Sequence, residues 1–492
     1  MFQYGLFDER DMAQLADATL EVLASVGVLC QNDEMLDALA AWGATVDRTA
    51  QTARFPRRLV EAFAAGLRAE ATRGEMGPTA HTQTVRQDYS VRQSATEPAA
   101  ARLRAPAMPT LGTQVAQFYY DDMRQERRPG NRADFITLIK FGDALHRADG
   151  VGHCLLLQDV PPLLEPLMAA VLLAEYAHHP GPAFVWNVRQ VDYLREMGET
   201  LGFADWFTWG AICFSHPLRF DRDVADKFVR RARSGVATGL TGMQVAGATT
   251  PITVAGYVVV SAAEFVATWI AARALHPTVP LCGSIWGGTL DMKGGNVSYS
   301  APDAMLRAFA VAEFLRRWCG QEVVVGGGEY CDARAPGLYA AREKAYKAMT
   351  IAAFTGQHPQ VGEGMLETGK TISPVQLLLD REVTRELQAL AADFAVTPEA
   401  IGLDAIREVG FGLETNYLQT EHTLRHFRAA AWIPSLLDRS GGKDRADEEA
   451  LLARAREQVR ALIASYVKPE VDPDTLARLR AVVERAKREL LG

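Results

Sequence analysis

The sequence predicts an α/β protein built on a (β/α)8 TIM barrel, with an N-terminal helical and loop extension and C-terminal helices. Short apolar runs that suit buried parallel strands alternate with segments of helical periodicity between residues 134 and 420. The runs number the eight that a closed barrel requires. A doubly wound open sheet is the competing interpretation, because no internal repeat decides between the two. The predicted divisions are residues 1–133, 134–420 and 421–492.

The first 133 residues are predicted to be helices and loops outside the barrel. Apolar residues between Asp11 and Ser25 recur on one stripe of a helix that stops at Gly27, and a second helix starts near Asn32. From Gly74 to Pro109 the sequence is polar and poor in large apolar residues, which indicates loops or exposed hairpins.

The predicted barrel strands are short and largely apolar, as parallel strands covered on both faces require. They are His153–Gln158, Ala183–Val188, Thr208–Ser215, Leu240–Val245, Pro280–Trp286, Glu322–Gly327, Gln360–Met365 and Arg407–Leu413. The helices between them are Leu163–His178, Val191–Leu201, Asp223–Ser234, Ala262–Ala274, Ala304–Arg317, Tyr339–Phe354 and Val375–Phe394. Beyond Gly412 three further helices are expected to form a cap or an oligomer arm: Thr423–Ala431, Ala446–Tyr466 and Pro473–Leu491.

Composition restricts the class of partner and the compartment. The 492 residues carry 52 Lys and Arg against 60 Asp and Glu, a formal net charge of −8. The basic clusters are short and are mixed with or preceded by acidic or amide residues, so no nucleic-acid partner is expected. Six separated cysteines without a CxxC pair favour free thiols, and Met1–Arg10 lacks the apolar segment of a signal peptide. A cytoplasmic protein is the expectation.

One apolar stretch imitates a membrane span. Pro251–Ala272 contains a single charged residue, Glu264, and Arg273 follows directly. The stretch also contains Gly256 and Thr268, which suit a helix between protein layers better than one that faces lipid. We therefore predict a buried helix and no membrane partner.

Candidate functional residues follow from the barrel prediction, because reactive side chains of such barrels lie just after the C-terminal ends of strands. The residues that this rule selects are Gln158, Asp159, Trp186, Asn187, Ser215, His216, Gln244, Trp286, Glu329, Tyr330, Asp332, Glu363, Glu414 and Asn416. They contain no Ser/His/Asp order, but they are rich in aromatic rings and carboxylates, which together hold an organic cation. Any single Trp is more often part of a hydrophobic core. The predicted position of these residues at the same end of the barrel favours a site.

Two other patterns suggest sites that the sequence supports less well. Gly326, Gly327 and Gly328 precede Glu329 without the GxGxxG spacing of a nucleotide loop, which favours close approach of a ligand to the backbone. His422 and His426 have the i, i+4 spacing of zinc ligands, but there is no HExxH motif and no evident third ligand. Contacts of these imidazoles with backbone or acidic groups are the favoured interpretation, and no metal site is predicted.

Several segments occur together in an order that is typical of one family. They are Arg127-Arg128-Pro129, Asp134–His146, Gly247–Gly256, Ala263-Glu264-Phe265, Ser300–Asp303, Cys331–Arg334, Glu343-Lys344-Ala345 and His422–Arg428. The chain resembles the trimethylamine methyltransferase family over most of its length. The resemblance implies a (β/α)8 barrel with helical additions. It also implies methyl transfer from a methylated amine to the cobalt of cobalamin on a separate corrinoid protein.

The resemblance further implies which partners to expect. Cobalamin would be supplied by the corrinoid protein, so no tightly bound cofactor is expected. A homo-oligomer is expected as well. The founding branch of the family has pyrrolysine after the stretch that corresponds to Asp332-Ala333-Arg334, where this chain continues Ala335-Pro336-Gly337. The chain therefore resembles the pyrrolysine-free branch, whose substrates are betaines such as glycine betaine. A quaternary nitrogen is already positive, so it leaves as a neutral amine without a general acid.

The resemblance and the barrel rule together assign roles to residues. Candidate walls around the cation are Trp186, Trp209, Trp286, Tyr299 and Tyr330. Candidate counter-charges are Glu329, Asp332 and Glu363. Candidates to receive a carboxylate of the donor are Asn187, His216, Gln244, Arg334 and His358.

Two other functions stay open at this point. The first is a metal-dependent barrel hydrolase that uses His422, His426 and a carboxylate. The second is a protein that binds quaternary amines without catalysis. A folate acceptor in place of cobalamin is a variant of the methyltransferase hypothesis.

Overall fold

The computed structural model describes residues 5–73, 106–355, 361–439 and 444–492. The described part is a mixed α/β protein in which long helices surround several small sheets. Its first helices are α1 Glu9–Ser25, α2 Asp33–Trp42, α3 Arg57–Arg73, α4 Arg132–His146, α5 Glu165–Tyr176, α6 Val191–Thr200, α7 Arg222–Arg233 and α8 Val254–Leu275. The later helices are α9 Pro302–Cys319, α10 Leu338–Thr355, α11 Pro374–Leu390, α12 Pro398–Ile401, α13 Leu403–Val409, α14 Glu421–Ala430, α15 Arg445–Ser465 and α16 Pro473–Leu491.

The strands are short. They are β1 Val28–Cys30, β2 Thr45–Asp47, β3 Thr52–Arg54, β4 Phe118–Asp121, β5 Glu126–Pro129, β6 Ala183–Phe184, β7 Phe207–Thr208, β8 Arg219–Phe220, β9 Thr238–Gly242, β10 Val245–Ala246, β11 Leu281–Ile285, β12 Gly288–Leu290, β13 Val297–Ser298, β14 Val324–Val325, β15 Met365–Leu366 and β16 Thr371–Ile372. The predicted polar stretch from Gly74 lies outside the described residues as far as residue 105, and so do His358 and Gln360.

Parallel pairing dominates at the centre of the chain. Strand β11 lies between β9 and β14 and pairs in parallel with both, with Leu281 opposite Thr238 and Ser284 opposite Val324. All residues of β11 are buried. This three-stranded sheet agrees with the predicted run of buried parallel strands, and the α/β class is confirmed.

Other parallel pairs are smaller. Strand β6 pairs with β7, and β16 pairs with β4. Single parallel bridges join Ala116 to Leu155 and Val151 to Pro180. Each pairing belongs to a separate small sheet, so the closed barrel stays a prediction.

The apolar helix α8 forms much of the core. Trp269 is fully buried and its indole Nε1 donates to the carbonyl of Cys282 in β11 at 2.7 Å. Tyr257 is fully buried too, and its hydroxyl donates to the carbonyl of Gln244 at 3.0 Å. This is the one helix among the described residues that is long and apolar enough to cross a membrane, and 72% of its most apolar window is buried inside the protein. The predicted buried helix is confirmed.

Both ends of the chain pack on the central region. Helices α1 and α2 contact α8. Helix α15 packs on α4 and α11, and α16 packs on α5 and α6. The last two helices therefore cap their own chain, as one of the two predicted roles requires.

The structure differs from the predicted secondary structure at three places. The predicted strand Arg407–Leu413 is occupied by the end of α13 and a turn, because Gly410 and Gly412 adopt positive φ values of 52° and 72° that a strand does not contain. Helix α4 was not predicted, although the side chain of Asn131 caps it by accepting from the backbone N–H of Asp134. Within the predicted strand His153–Gln158 only Leu155 forms a bridge.

Candidate functional site

The C-terminal ends of β11 and β14 bring an indole and a carboxylate together. Trp286 follows β11 directly, and Glu329 follows β14 after three glycines. Carboxyl ends of neighbouring parallel strands meet at one edge of a sheet. The indole Nε1 of Trp286 donates to Oε1 of Glu329 at 3.0 Å.

Glu329 is buried and held by a second donor. The backbone N–H of Gly327 donates to its Oε2 at 3.1 Å. A Cβ on Gly326 would lie 2.3 Å from Cε2 of Trp286, so the indole rests directly on this backbone. The glycine run thus permits a close approach, as predicted, but the group that approaches Gly326 is the ring of Trp286. With a donor on each oxygen, Glu329 has a fixed orientation.

Two tyrosines extend the aromatic surface. The ring centroid of Tyr330 lies 6.2 Å from that of Trp286 and 6.5 Å from that of Tyr299. Burial raises the pKa of Tyr299 to about 12. Burial, followed by the charge of Glu329, raises the pKa of Tyr330 as well. Both phenols are therefore neutral at physiological pH, and the three rings form one cluster beside Glu329.

Glu363 is a second buried carboxyl group whose titration is coupled to Glu329. Burial first, and then the negative charge of Glu329, raises the pKa of Glu363 to about 8. A hydrogen bond with Gln114 opposes this rise. Glu363 therefore keeps its proton at neutral pH, so the two neighbouring carboxyl groups do not both carry a negative charge.

The backbone at Glu363 adopts a conformation that non-glycine residues seldom use. Gly362, Glu363 and Gly364 have φ values of 95°, 60° and 74°. Such left-handed positions persist only where the surroundings fix them, and they concentrate at functional sites. The surroundings here are a buried ion pair.

Asp380 and Lys344 form that ion pair, and both are fully buried. Nζ of Lys344 donates to Oδ2 of Asp380 at 2.7 Å. The same oxygen accepts the backbone N–H of Gly364 at 2.8 Å, and Oδ1 accepts Nε2 of Gln376 at 2.7 Å. The bond from Gly364 ties the turn that carries Glu363 to α11, and the ion pair ties α11 to α10.

Lys347 is a further buried amine beside the cluster. Its Nζ donates to the carbonyl of Tyr299 at 2.5 Å. Burial lowers its pKa to about 8, against the opposing influence of Glu329 and Asp332. Where it is protonated, Lys347 offsets part of the negative charge at this end of the sheet.

Asp332 lies at the edge of the same region. Its Oδ2 accepts from the hydroxyl of Ser298, and its backbone N–H donates to Glu343 at 2.8 Å. Ser298 directly precedes Tyr299 in the chain. Through this bond Asp332 fixes the segment that carries one of the aromatic rings.

His216 and Gln244 converge on another carboxylate, Glu264 of α8. Nδ1 of His216 lies 2.9 Å from Oε2 of Glu264, and Nε2 of Gln244 donates to the same oxygen. The backbone N–H of Leu218 donates to Oε1 at 2.6 Å. Glu264, the single charged residue of Pro251–Ala272, is therefore satisfied internally, in part by the two side chains that the sequence assigned to substrate.

Trp186, Asn187 and Trp209 make separate contacts. The half-exposed Trp186 donates from Nε1 to the buried Glu165 at 3.0 Å. The side chain of Asn187 accepts the backbone N–H of Arg189 at 3.0 Å and caps a short helical turn. Trp209 is buried edge-to-face against Phe207, with centroids 5.3 Å apart. None of these hydrogen bonds and ring contacts involves the Trp286 cluster.

The remaining candidates are placed elsewhere. Arg334 is exposed, and His358 lies outside the described residues. His422 and His426 have ring centroids 4.6 Å apart; Nε2 of His422 lies 3.1 Å from the carbonyl of Glu399, and His426 lies 3.8 Å from its carboxylate. Within the described ranges no group of three or more potential ligands could hold a metal ion.

The assembled site suits recognition of a cation. The structure brings Trp286, Tyr299 and Tyr330 together with Glu329, and it couples Glu363 to Glu329. Ring faces and a fixed carboxylate attract a quaternary ammonium group without a hydrogen bond. Three residues that support the site were not among the predicted ones: Lys344, Lys347 and Asp380. A signal existed for the lysines, because they recur at helical spacing with the buried Ala340, Ala348 and Ile351 of α10.

Comparisons with known proteins agree with this chemistry. The sequence profile of the trimethylamine methyltransferase family matches residues 1–491. Trimethylamine methyltransferase MttB2 of Methanosarcina mazei is 25% identical over 99% of this chain and 96% of its own length. Trimethylamine methyltransferase MttB of Desulfitobacterium hafniense is 24% identical over 99% and 95%. A glycine betaine methyltransferase of D. hafniense is 26% identical over 56% of this chain and 57% of its own length.

Proposed function

The chain belongs to the trimethylamine methyltransferase family, and we propose that it transfers a methyl group from a betaine-like quaternary amine to a corrinoid on a separate protein. The observation that carries the proposal is the cluster of Trp286, Tyr299 and Tyr330 around the fixed carboxylate of Glu329. Similarity to methyltransferases named for trimethylamine and for glycine betaine supports a methylated amine as donor.

The proposed reaction is a displacement at a methyl carbon. The Co(I) atom of the corrinoid supplies an electron pair to the methyl carbon, and the carbon–nitrogen bond breaks with its electrons left on nitrogen. The products are a methyl–cobalt bond and a neutral tertiary amine. The nitrogen loses its positive charge in this step, so a proton donor is not required.

The proposed site limits how strongly the ground state is held. An interaction that is stronger with the cation than with the transition state raises the barrier, because the positive charge is disappearing. Cation–π contacts contribute only about 0.5–2 kcal/mol. Glu363 keeps its proton near neutral pH because its pKa is raised to about 8. The cation therefore faces about one negative charge, not two, while Trp286 and the tyrosines orient the methyl group.

A carboxylate of the donor would need a contact of its own. Asn187, His216, Gln244, Arg334 and His358 are its candidates. Internal hydrogen bonds already engage Nδ1 of His216 and Nε2 of Gln244. The exposed guanidinium of Arg334, two residues beyond Asp332, is the candidate we prefer.

The architecture proposed for this function is a distorted (β/α)8 barrel. Its support is the sequential order of the parallel contacts. Ala116, just before β4, bridges to Leu155, and Val151 bridges to Pro180, just before β6. Strand β6 then pairs with β7, and β9 pairs with β11, which pairs with β14. A backbone hydrogen bond of 2.9 Å joins Thr241 to Ile212, and β16 returns to β4. The proposed barrel thus begins with β4, before residue 134. A cytoplasmic homo-oligomer without a tightly bound cofactor completes the proposal.

The proposal is tested by mixing the protein with cob(I)alamin and one donor at a time, with and without a cognate corrinoid protein. The donors are glycine betaine, other betaines, carnitine, choline and trimethylamine, and the readout is the absorption spectrum of methylcobalamin. At least one quaternary donor should produce that spectrum. Binding of a betaine without methylcobalamin under any condition would favour a binding protein. Activity that a chelator abolishes would favour a metal-dependent enzyme. Formation of methyltetrahydrofolate when tetrahydrofolate replaces cob(I)alamin would identify the folate variant.

The site assignment needs matched variants. Glu329→Gln removes the fixed charge, and Glu322→Gln changes an exposed glutamate near the start of the same strand as a control. We expect KM for the quaternary donor to rise and kcat/KM to fall about tenfold for Glu329→Gln, because the carboxylate attracts the cation more strongly than it attracts the transition state. Equal kinetics of the two variants would refute the site while leaving the family activity intact.

A further inference from the structure

A segment between α11 and α15 has little contact with the rest of the chain. We call residues 390–433 the exposed arm; it contains α12, α13 and α14. Of these residues, which the structure describes throughout, only Ala405, Val409 and Thr420 are buried. Helix α14 contains no buried residue.

The exposed arm is nevertheless apolar. Its exposed large hydrophobic residues are Leu390, Phe394, Val396, Ile401, Leu403, Ile406, Phe411, Leu413, Tyr417, Leu418, Leu424, Phe427 and Ile433. Phe411 is 99% exposed and Phe394 is 86% exposed, so these two side chains alone present roughly 300–400 Å² of apolar surface. A typical monomer exposes about 300–600 Å² in its largest apolar patch. Phe394 and Phe411 alone reach the lower part of that range, and the other exposed apolar residues of the arm add to it.

The exposed arm has regular structure. The side chains of Thr397 and Thr420 cap α12 and α14. Several charged residues are paired inside the arm, as Arg407 with Asp404 and Arg425 with Glu421. Pairing of this kind leaves the apolar side chains as the surface available to a partner.

We propose that the exposed arm is a permanent homodimer interface, in which it packs against the exposed arm of a second copy across a two-fold axis. A two-fold interface uses the same patch on both subunits, so each contributes an equal area. A standard stable interface buries about 800 Å² per partner. The apolar residues of the arm together exceed this area, which is typical of obligate homodimers, whose interfaces are the more hydrophobic class.

A second copy suits this surface better than a partner that binds and leaves. Apolar surface of this extent favours aggregation whenever it is exposed to water. A transient partner would expose it at each departure, whereas another copy of the chain is present from synthesis onwards. The sequence assigned a cap or an oligomer arm to three helices beyond Gly412. The last two, α15 and α16, pack on their own chain, so the role of oligomer arm falls on the first, α14, and on the segment before it.

The test measures the mass of the full-length protein by sedimentation at about 0.1–10 µM. We expect the wild type at twice its chain mass of 53.8 kDa or an even multiple of it. Leu413→Ser combined with Leu418→Ser should raise the dissociation constant at least 100-fold. Val467→Ser, an exposed apolar residue between α15 and α16, should leave the constant unchanged. Circular dichroism should show equal helix content in all three proteins.

Hydrogen exchange gives a readout that does not need a variant. Amides of α14 in the wild type should exchange more slowly in the dimer than after dilution to the monomer. A wild type that sediments as a single chain at 10 µM would overturn the proposal. So would a dimer whose α14 amides are unprotected, assembly only with a corrinoid protein, or binding of the arm to lipid vesicles. None of these outcomes depends on methyl transfer activity.

Discussion

Replacement of Glu363 by glutamine should change how the stability of the protein depends on pH. The pKa of this carboxyl group is raised from 4.5 to about 8 by burial and by the charge of Glu329. Ionising it in place therefore costs about 5 kcal/mol, at about 1.4 kcal/mol per pH unit. In Glu363→Gln the amide has a similar shape and no charge, so this cost disappears.

The sign of the effect follows from proton binding. The unfolded chain releases the proton of Glu363 near pH 4.5, whereas the folded chain retains it to about pH 8. Between these values the folded state binds more protons, so the contribution of Glu363 to the free energy of unfolding falls as pH rises. The loss approaches about 5 kcal/mol above pH 8 and is absent below pH 4.5.

Denaturant unfolding from pH 4.5 to 9 measures this difference. The free energy of unfolding of Glu363→Gln minus that of the wild type should grow with pH and level off above about pH 8. Glu322→Gln, at an exposed position, should give a difference that does not vary over this range. Parallel curves for Glu363→Gln and the wild type would refute the inference that the folded protein keeps Glu363 protonated.

Two further predictions concern the support of the site. In Gly326→Ala the new Cβ would lie 2.3 Å from the indole of Trp286, and displacement of the ring should reduce kcat/KM. The control is Gly66→Ala, in a helix with open space around it, which should leave kcat/KM unchanged. It should also stabilise the protein by about 0.5–1 kcal/mol in denaturant unfolding. Asp380→Asn leaves Lys344 buried without its ionic partner and should cost about 3–5 kcal/mol of unfolding free energy. A combined Lys344→Met and Asp380→Leu variant should recover part of that loss, and a double variant less stable than Asp380→Asn would contradict the ion-pair argument.

Helices were predicted well because their signals are local. The last helix was predicted with both ends correct, since Pro473 opens it and the apolar stripe continues to Leu491. Helix α11 begins after Ser373, whose side chain accepts the backbone N–H of Gln376. Capping residues and the 3.6-residue period of apolar side chains involve only neighbouring residues, so a single sequence is enough to recognise a helix.

Strands and side-chain partners were harder to predict because they depend on distant residues. Val409, Phe411 and Leu413 alternate as strand residues do, but the glycines between them turn the chain. Trp286 and Glu329 were correctly placed at strand ends, and their hydrogen bond required the register of β11 with β14. The partners of His216 and Gln244 lie on α8, and no local pattern predicts the convergence of these residues on Glu264.

The central claim is that the Trp286 cluster binds the quaternary amine whose methyl group is transferred to cobalt. Single-turnover reaction of excess protein with cob(I)alamin and a betaine bearing N-trideuteromethyl groups tests it most directly. We predict equal amounts of trideuteromethylcobalamin and demethylated amine. The rate should fall at least tenfold in Trp286→Leu. It should not change in Trp42→Phe, because Trp42 packs against the N-terminal part of the core. Demethylation without labelled methylcobalamin, or equal rates for both variants, would contradict the account.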